Sequence, residues 1–193
     1  MSSQPNVLIT PEEYLVLERE AEFKSEYFDG EIFAMAGVGR KHNLLASRGI
    51  FIIEGAFRDR DCEVYGSDMR VCVLPSTGLY TYPDISAVCG EPRFLDNQFD
   101  TLLNPKAIIE VLSPSTEAYD RGRKFQRYKG IASLAQYVLI SSERVLVEVF
   151  TAGNYGVWTP KVLSLPEEAV EIASIECSFT IADLYQKTGL LPT

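Results

Sequence analysis

Hydrophobic residues recur along this chain at two spacings, one typical of helices and the other of strands. The run Thr10-Pro11-Glu12-Glu13 matches a capping box with proline at the first helical position, and it predicts a short helix through about Arg19. A longer helix is predicted from about Lys41 to Phe57, where apolar residues repeat every three or four positions. Its buried stripe is predicted to contain Leu45, Ile52, Ile53 and Ala56.

Strand patterns occupy three parts of the chain. In KSEYFDGEIFAMAG two β-prone runs meet at Asp29-Gly30, a pair that accepts the positive φ angles of a type I′ turn, so a hairpin is predicted. Between Cys62 and Leu112 the predicted strands are CEVY, MRVCVL, YPDISAV and KAIIEVL, with a turn at 75–78 and a polar loop from about Gly90 to Asn104. Later strands, AQYVLI and RVLVEVF, flank a turn at 141–143, and AGNYGVW predicts another hairpin turn.

The helices of the second half are short. One is predicted from near Asp120 to Gly130, where the glycine suits a left-handed C-terminal cap. Another, at Ile181 to Tyr185, is predicted to cover an edge together with the residues before it. The order of helix, hairpin, helix, several strands, helix and strands predicts one domain over residues 1–193, of the mixed α+β or α/β class.

The composition is that of an ordinary globular chain, with 46% hydrophobic and 23% charged residues. No segment approaches the roughly 18 uninterrupted apolar residues of a membrane span, and the first residues lack a signal-peptide pattern. We therefore expect a cytoplasmic protein with no membrane partner. The four cysteines are scattered without a C-x-x-C pair, so we expect reduced thiols in the core: Cys62, Cys72, Cys89 and Cys177.

The net charge of -9 counts against a protein that holds nucleic acid over a broad basic surface. RGRKFQRYK is nevertheless a basic island in this acidic chain. A solvated helix face is the ordinary interpretation of such a run. The alternative is a local nucleic-acid contact through Arg121, Arg123 and Arg127.

Two carboxylates have surroundings that point to chemistry. Glu110 interrupts the apolar run KAIIEVL, which is typical of a strand buried on both faces. A buried charge is costly, so Glu110 needs a metal, a cation or a proton, and a structural salt bridge is the alternative. Asp84 follows Pro83 at the head of DISAV, where it could instead cap a turn. The spacing allows both carboxylates to converge at one end of a sheet, which suits Mg²⁺.

The string YPDIS, then KAIIEVLSPSTEAYDRGRKFQRYKG, preceded by the DGE hairpin and a helix with a single histidine, resembles the Uma-two family. These are restriction-endonuclease-like proteins of the PD-(D/E)XK nuclease superfamily. The resemblance runs from about Glu12 to Trp158, and EVLSPST with its following D-x-x-x-K is its most specific part. It implies a restriction-endonuclease-like core, a central mixed sheet flanked by helices with added β-hairpins, in which Asp84 and Glu110 are metal ligands.

The chain departs from the superfamily pattern at Leu112, which stands where a lysine is expected two residues after Glu110. In the resembling family a lysine on the next helix takes over, and here that residue is Lys124. Asp120, Lys124 and Tyr128 are spaced four residues apart and are predicted to share one helix face. A lysine side chain is long enough to reach from there to the end of the sheet.

The expected function is that of an endonuclease that hydrolyses phosphodiester bonds in DNA with Mg²⁺ or Mn²⁺ as cofactor. Asp84 and Glu110 would hold the metal and Lys124 would steady the nucleophile or the developing charge. His42 is a candidate for the metal's outer shell or a phosphate, although a lone histidine is more often structural. Glu31 and Tyr128 are further accessory candidates.

We also expect a homodimer, because two sites could then address two strands. Two other functions remain open on the sequence. One is a catalytically idle nuclease-fold protein that binds nucleic acid or a protein partner, which the acidic charge favours. The other is a hydrolase of a small phosphate compound, which would account for the charge without a DNA groove.

Overall fold

The helices lie close to their predicted positions in the computed structural model, which describes residues 8–74 and 78–192. The predicted turn at 75–78 therefore lies almost wholly outside the described residues. The helices are α1 (Pro11–Glu20), α2 (Arg40–Phe57), α3 (Glu117–Tyr119), α4 (Phe125–Tyr128) and α5 (Ile181–Tyr185), and a π-helical turn (Asp120–Lys124) joins α3 to α4. Thr10 and Glu13 form the predicted capping box. Over the described ranges, no helix is both long enough and apolar enough to cross a bilayer.

The strands within the described residues form a six-stranded, a five-stranded and a two-stranded sheet. The six-stranded sheet has the order β11-β10-β9-β8-β6-β3 and the five-stranded sheet the order β2-β1-β5-β4-β7, while β12 pairs with β13. The strand bounds are β1 (Ser25–Phe28), β2 (Glu31–Ala34), β3 (Cys62–Gly66), β4 (Arg70–Cys72), β5 (Leu79–Thr81), β6 (Ile85–Cys89), β7 (Thr101–Leu102), β8 (Ala107–Leu112), β9 (Gln136–Ser141), β10 (Val147–Ala152), β11 (Trp158–Leu163), β12 (Ala169–Ile172) and β13 (Cys177–Thr180).

Strand β8 lies at the centre of the six-stranded sheet, and all six of its residues are buried. It runs parallel to β9 and antiparallel to β6. Helix α2 covers one face, where Leu45 and Ile53 join the same core cluster as Ile109. Gly49 lets this helix approach closely, since a Cβ there would lie 2.6 Å from Ile85. Helix α4 covers the other face with Phe125 and its neighbours. This layering confirms the predicted mixed class, a mixed sheet flanked by helices.

The β1–β2 hairpin turns at Asp29-Gly30, whose φ angles of 46° and 92° are the positive values that the sequence predicted. Side chains alternate across β1. Tyr27 points into a core cluster with Tyr14 and Tyr80, and Glu26 and Phe28 therefore point to the opposite side. This places Glu26 toward the end of the six-stranded sheet.

Two predictions for the middle of the chain were wrong. The polar loop predicted from Gly90 to Asn104 contains β7, which pairs with β4 in parallel and buries Leu102. The four cysteines are not all reduced thiols, since Cys62 and Cys89 form a disulfide. They face each other directly in the antiparallel register of β3 and β6, with Cα atoms 4.0 Å apart. Cys72 and Cys177 are free and buried, as predicted.

Strand positions also differ from the prediction near the site and near the C-terminus. The predicted strand YPDISAV begins only at Ile85, because residues 82–84 carry the chain from β5 in one sheet to β6 in the other. Near the C-terminus, the residues before α5 form the β12–β13 hairpin, whose Val170, Ile172 and Phe179 join the core under α2. The first difference matters for the site, since it leaves Asp84 at the junction of two sheets.

Candidate functional site

Asp84 and Glu110 are held side by side at one end of the six-stranded sheet. The register pairs Ile85 with Ile109, so the next step along both strands brings Asp84 opposite Glu110. The Asp84 N–H donates to Glu110 Oε2 at 3.3 Å. In return, the Val111 N–H donates to Asp84 Oδ2 at 2.7 Å. The structure therefore brings together the two carboxylates that the sequence singled out.

Lys124 lies on the side of β8 to which the Glu110 side chain points, and it is buried. Its Nζ is 2.9 Å from Glu110 Oε1 and 3.0 Å from Glu26 Oε1. Asp120 Oδ1 is 3.7 Å away, one turn back on the helical segment. Asp120, Lys124 and Tyr128 share the buried face of that segment, as the spacing predicted. A π-helical turn is rare and is often found at functional sites, and here it carries both Asp120 and Lys124.

Glu26 also belongs to this cluster, although no local sequence pattern predicted it. It accepts a hydrogen bond from the Thr81 hydroxyl, and the Tyr119 hydroxyl donates to its Oε2 at 3.3 Å. Glu31, which the sequence indicated as an accessory candidate, has an exposed side chain on β2. Glu31 is not among the described residues that line the cavity beside the cluster.

Two accessory candidates touch the carboxylates. His42 is buried near the start of α2, with its Nε2 3.1 Å from Asp84 Oδ2. Its Nδ1 is buried without a hydrogen-bond partner among the described residues. The Tyr128 hydroxyl donates to Glu110 Oε1 at 3.0 Å. Both side chains therefore help to fix the carboxylate positions.

The three arginines predicted to contact nucleic acid have different surroundings. Arg121 pairs with Glu117 and Glu148. Arg127 pairs with Asp29 at 2.8 Å. Arg123 is exposed and lines the cavity beside Lys124.

Negative charge exceeds positive charge in this cluster. Four carboxylates, those of Glu26, Asp84, Glu110 and Asp120, surround one lysine and one histidine. Burial outweighs the attraction of Lys124 and raises the pKa of Glu110 to about 8. Burial alone would lower the pKa of Lys124, but the nearby carboxylates raise it well above its usual value. The cluster therefore favours a further cation or a proton.

We expect the Glu110→Gln variant to fold and to be at least as stable as the wild type in metal-free buffer, because the amide removes a carboxylate from a cluster with excess negative charge. The raised pKa also sets a pH dependence. Between about pH 4.5 and pH 8 the folded protein keeps a proton on Glu110 that the unfolded chain has released. The free energy of unfolding of the wild type therefore falls as the pH rises through that range. The Glu110→Gln variant, which has no proton to release at this position, should not show this pH-dependent fall in stability.

Thermal melts of both proteins in EDTA at pH 5 and pH 8 measure this difference. The wild type should lose more stability than the variant between the two pH values. A large fall in the melting temperature of the variant at both pH values would instead indicate that Glu110 serves as a structural salt-bridge partner of Lys124.

The cluster opens into a cavity of about 560 Å³. One side carries the polar groups, including Asp84, Glu110 and Lys124. The other side is formed by the β1–β2 hairpin and the segment that leads to α2, with apolar residues such as Phe33 and Val38. In the part of the chain that the structure describes, no three His, Cys, Asp or Glu side chains are arranged to hold a metal ion by themselves.

Comparison with known proteins agrees with this fold. The model of the Uma2 family, whose description is "Putative restriction endonuclease", matches residues 11–182. Two uncharacterized proteins of Synechocystis sp. (strain ATCC 27184 / PCC 6803 / Kazusa) are each 36% identical to this chain. The protein slr1290 matches over 185 residues, 95% of both chains, and sll1609 matches over 172 residues, 89% of this chain and 94% of its own.

A crystal structure described as a putative nuclease belonging to DUF820, from Anabaena variabilis ATCC 29413, superposes with a TM-score of 0.74. The superposition covers 92% of this chain and 97% of that chain, at 22% sequence identity. The shared architecture confirms the predicted fold, and the family match confirms the resemblance inferred from the sequence motifs.

Proposed function

This chain belongs to the Uma2 family, and from that premise we propose that it is a metal-dependent endonuclease that hydrolyses phosphodiester bonds in DNA. The observation that carries the proposal is the pair of carboxylates locked together at the sheet end, with a buried lysine against one of them. Each of these residues has an ordinary structural explanation alone. Their convergence in one cavity favours a catalytic site.

The donor set suits Mg²⁺ or Mn²⁺. Mg²⁺ keeps several waters and is commonly bound through one or two carboxylates, whereas zinc sites use at least three protein ligands rich in nitrogen and sulfur. Asp84 and Glu110 supply two carboxylates, and the excess of negative charge around Lys124 attracts a divalent cation. Once bound, such an ion polarises the phosphate and lowers the pKa of a coordinated water.

The protein's own groups supply the remaining chemistry. Lys124 keeps its positive charge at neutral pH, because the carboxylates around it raise its pKa. Its ammonium group is placed to stabilise the negative charge that develops on the phosphate oxygens. The Val111 N–H and the His42 imidazole both contact Asp84 Oδ2 and hold that carboxylate in position. Positioning of this kind keeps the carboxylate ready for the metal.

A cleavage assay tests the proposal. Circular single-stranded and duplex DNA are incubated with the purified protein in Mg²⁺, in Mn²⁺ and in excess EDTA. We expect cleavage with either metal and none in EDTA. DNA that stays intact while a small phosphodiester is hydrolysed would support a small-phosphate hydrolase instead. Binding of DNA without cleavage of any substrate would support an idle nuclease fold.

A further inference from the structure

One wall of the cavity is aromatic, and the proposed catalysis does not use it. Phe33 lies directly opposite Glu26 in the register of β1 and β2, and Phe28 is two residues along β1 from Glu26. Side chains at such positions share one face of a hairpin, so both rings lie on the side where Glu26 meets Lys124. Phe33 is 47% exposed. Two aromatic rings therefore flank the acidic cluster, and one of them is open to a ligand.

Positive charge accompanies these rings. The Arg127 guanidinium lies 4.5 Å from the centre of the Phe28 ring. Arg123 lines the cavity and also a neighbouring depression that shares Phe28 with it. Aromatic faces combined with arginine are the groups that bind the bases and backbone of single-stranded nucleic acid. The volume of about 560 Å³ is within the usual range for a small-molecule site, so it can admit a nucleotide.

The overall charge argues against a long duplex held by its phosphates. Binding of that kind needs many lysines and arginines, and this chain has a net charge of -9. Two of the arginines near the site are already paired, Arg121 with Glu117 and Arg127 with Asp29. If the chain binds DNA, contacts to the bases must therefore contribute much of its affinity for DNA.

We propose that Phe33, beside the Phe28–Arg127 pair, stacks on an unpaired nucleobase next to the scissile phosphate, so that the substrate is single-stranded DNA or an unpaired segment. This inference rests on the proposed nuclease function, because it assigns that function a substrate class. The exposed β2 edge could instead pair with a second copy of the chain, and the experiment below separates that outcome.

The test measures binding of a fluorescent single-stranded oligothymidylate of about 12 nucleotides and of an abasic oligonucleotide of equal length. Ca²⁺ replaces Mg²⁺, and a gel checks that the probes stay intact. The variants are Phe33→Ser, Phe33→Tyr as the conservative rescue, and Phe51→Ser as a matched control, since Phe51 is 71% exposed on α2. We expect Phe33→Ser to bind oligothymidylate about five- to 150-fold more weakly, the range for loss of one base–aromatic stack. Phe33→Tyr and Phe51→Ser should bind like the wild type.

Several results would overturn the inference. The inference fails if the wild type binds oligothymidylate and the abasic oligonucleotide equally well. It also fails if Phe33→Ser binds oligothymidylate as tightly as the wild type. Loss of self-association in Phe33→Ser by light scattering, with DNA binding unchanged, would assign the wall to a second copy. Cleavage of duplex and abasic DNA as fast as single strands would contradict the base site but still support the nuclease function.

The opposite result is base-dependent binding without cleavage in Mg²⁺. It would support the base site and contradict the nuclease function.

Discussion

A Lys124→Met variant is expected to lose about 100- to 1,000-fold in cleavage rate while it keeps its metal site. The ammonium group lies 2.9 Å from Glu110 Oε1, and in the proposed mechanism it stabilises the charge that develops on a phosphate bound beside that carboxylate. Lysine is not a metal ligand, and its positive charge opposes the binding of a cation. Affinity for Mn²⁺ should therefore stay the same or increase. Single-turnover cleavage and calorimetry with Mn²⁺ measure the two effects separately.

The same variant should also be less stable, because Glu26, Glu110 and Asp120 would lose a buried partner. Removing one member of a buried ion pair costs about 3–5 kcal/mol, which corresponds to a fall of roughly 6–20 °C in melting temperature at this chain length. Activity is therefore measured where circular dichroism shows the variant to be folded. Lys161→Met serves as the control, since Lys161 is exposed on β11. Full cleavage by folded Lys124→Met would mean that the lysine is only structural.

An Asp84→Asn variant is expected to lose detectable Mn²⁺ binding and, with it, cleavage. The amide oxygen can still accept the Val111 N–H that now donates to Asp84 at 2.7 Å, so the local backbone should keep its position. The charge is what changes, and one of two anionic ligands is lost. Titration calorimetry with Mn²⁺ on the wild type and the variant measures this effect.

The control for Asp84→Asn is Asp59→Asn, which changes the net charge equally at an exposed position after α2. It should bind Mn²⁺ like the wild type. If Asp84→Asn bound Mn²⁺ with unchanged affinity and stoichiometry, Asp84 would not be a ligand, and its bond to His42 would be its main role.

The parts of the site that the sequence predicted are those that depend on local patterns. The apolar run around Glu110 predicted a strand buried on both faces, and β8 is such a strand. The i, i+4 spacing predicted that Asp120, Lys124 and Tyr128 share a face, and all three are buried. The Asp29-Gly30 pair predicted the hairpin through its need for positive φ. In each case the residues that determine the geometry lie within a few positions of one another.

The parts that the sequence missed depend on contacts between distant segments. Glu26 lies on a strand of four residues, and the groups that identify it as part of the site are Thr81, Tyr119 and Lys124. A period of two along SEYF shows only that Glu26 and Phe28 share a face. It does not say which face meets the sheet end, and the position of Glu31 beside the turn made it an accessory candidate although its side chain is exposed.

The disulfide was missed for a related reason. Cys62 and Cys89 meet only because β3 and β6 pair antiparallel in one particular register. A shift of one residue would have placed them on opposite faces. The short strand β7 is likewise defined by its parallel partner β4, since two residues carry too little pattern to predict a strand alone. Register and strand pairing are properties of the whole fold, and a local pattern does not contain them.

A crystal structure of the wild type soaked in Mn²⁺, with anomalous diffraction used to locate the metal, tests the proposed metal site most directly. We expect one anomalous peak bound by carboxylate oxygens of both Asp84 and Glu110, with the Lys124 ammonium group nearby. No peak at a saturating concentration, or a peak that touches neither carboxylate, would show that these residues do not form the metal site of a nuclease.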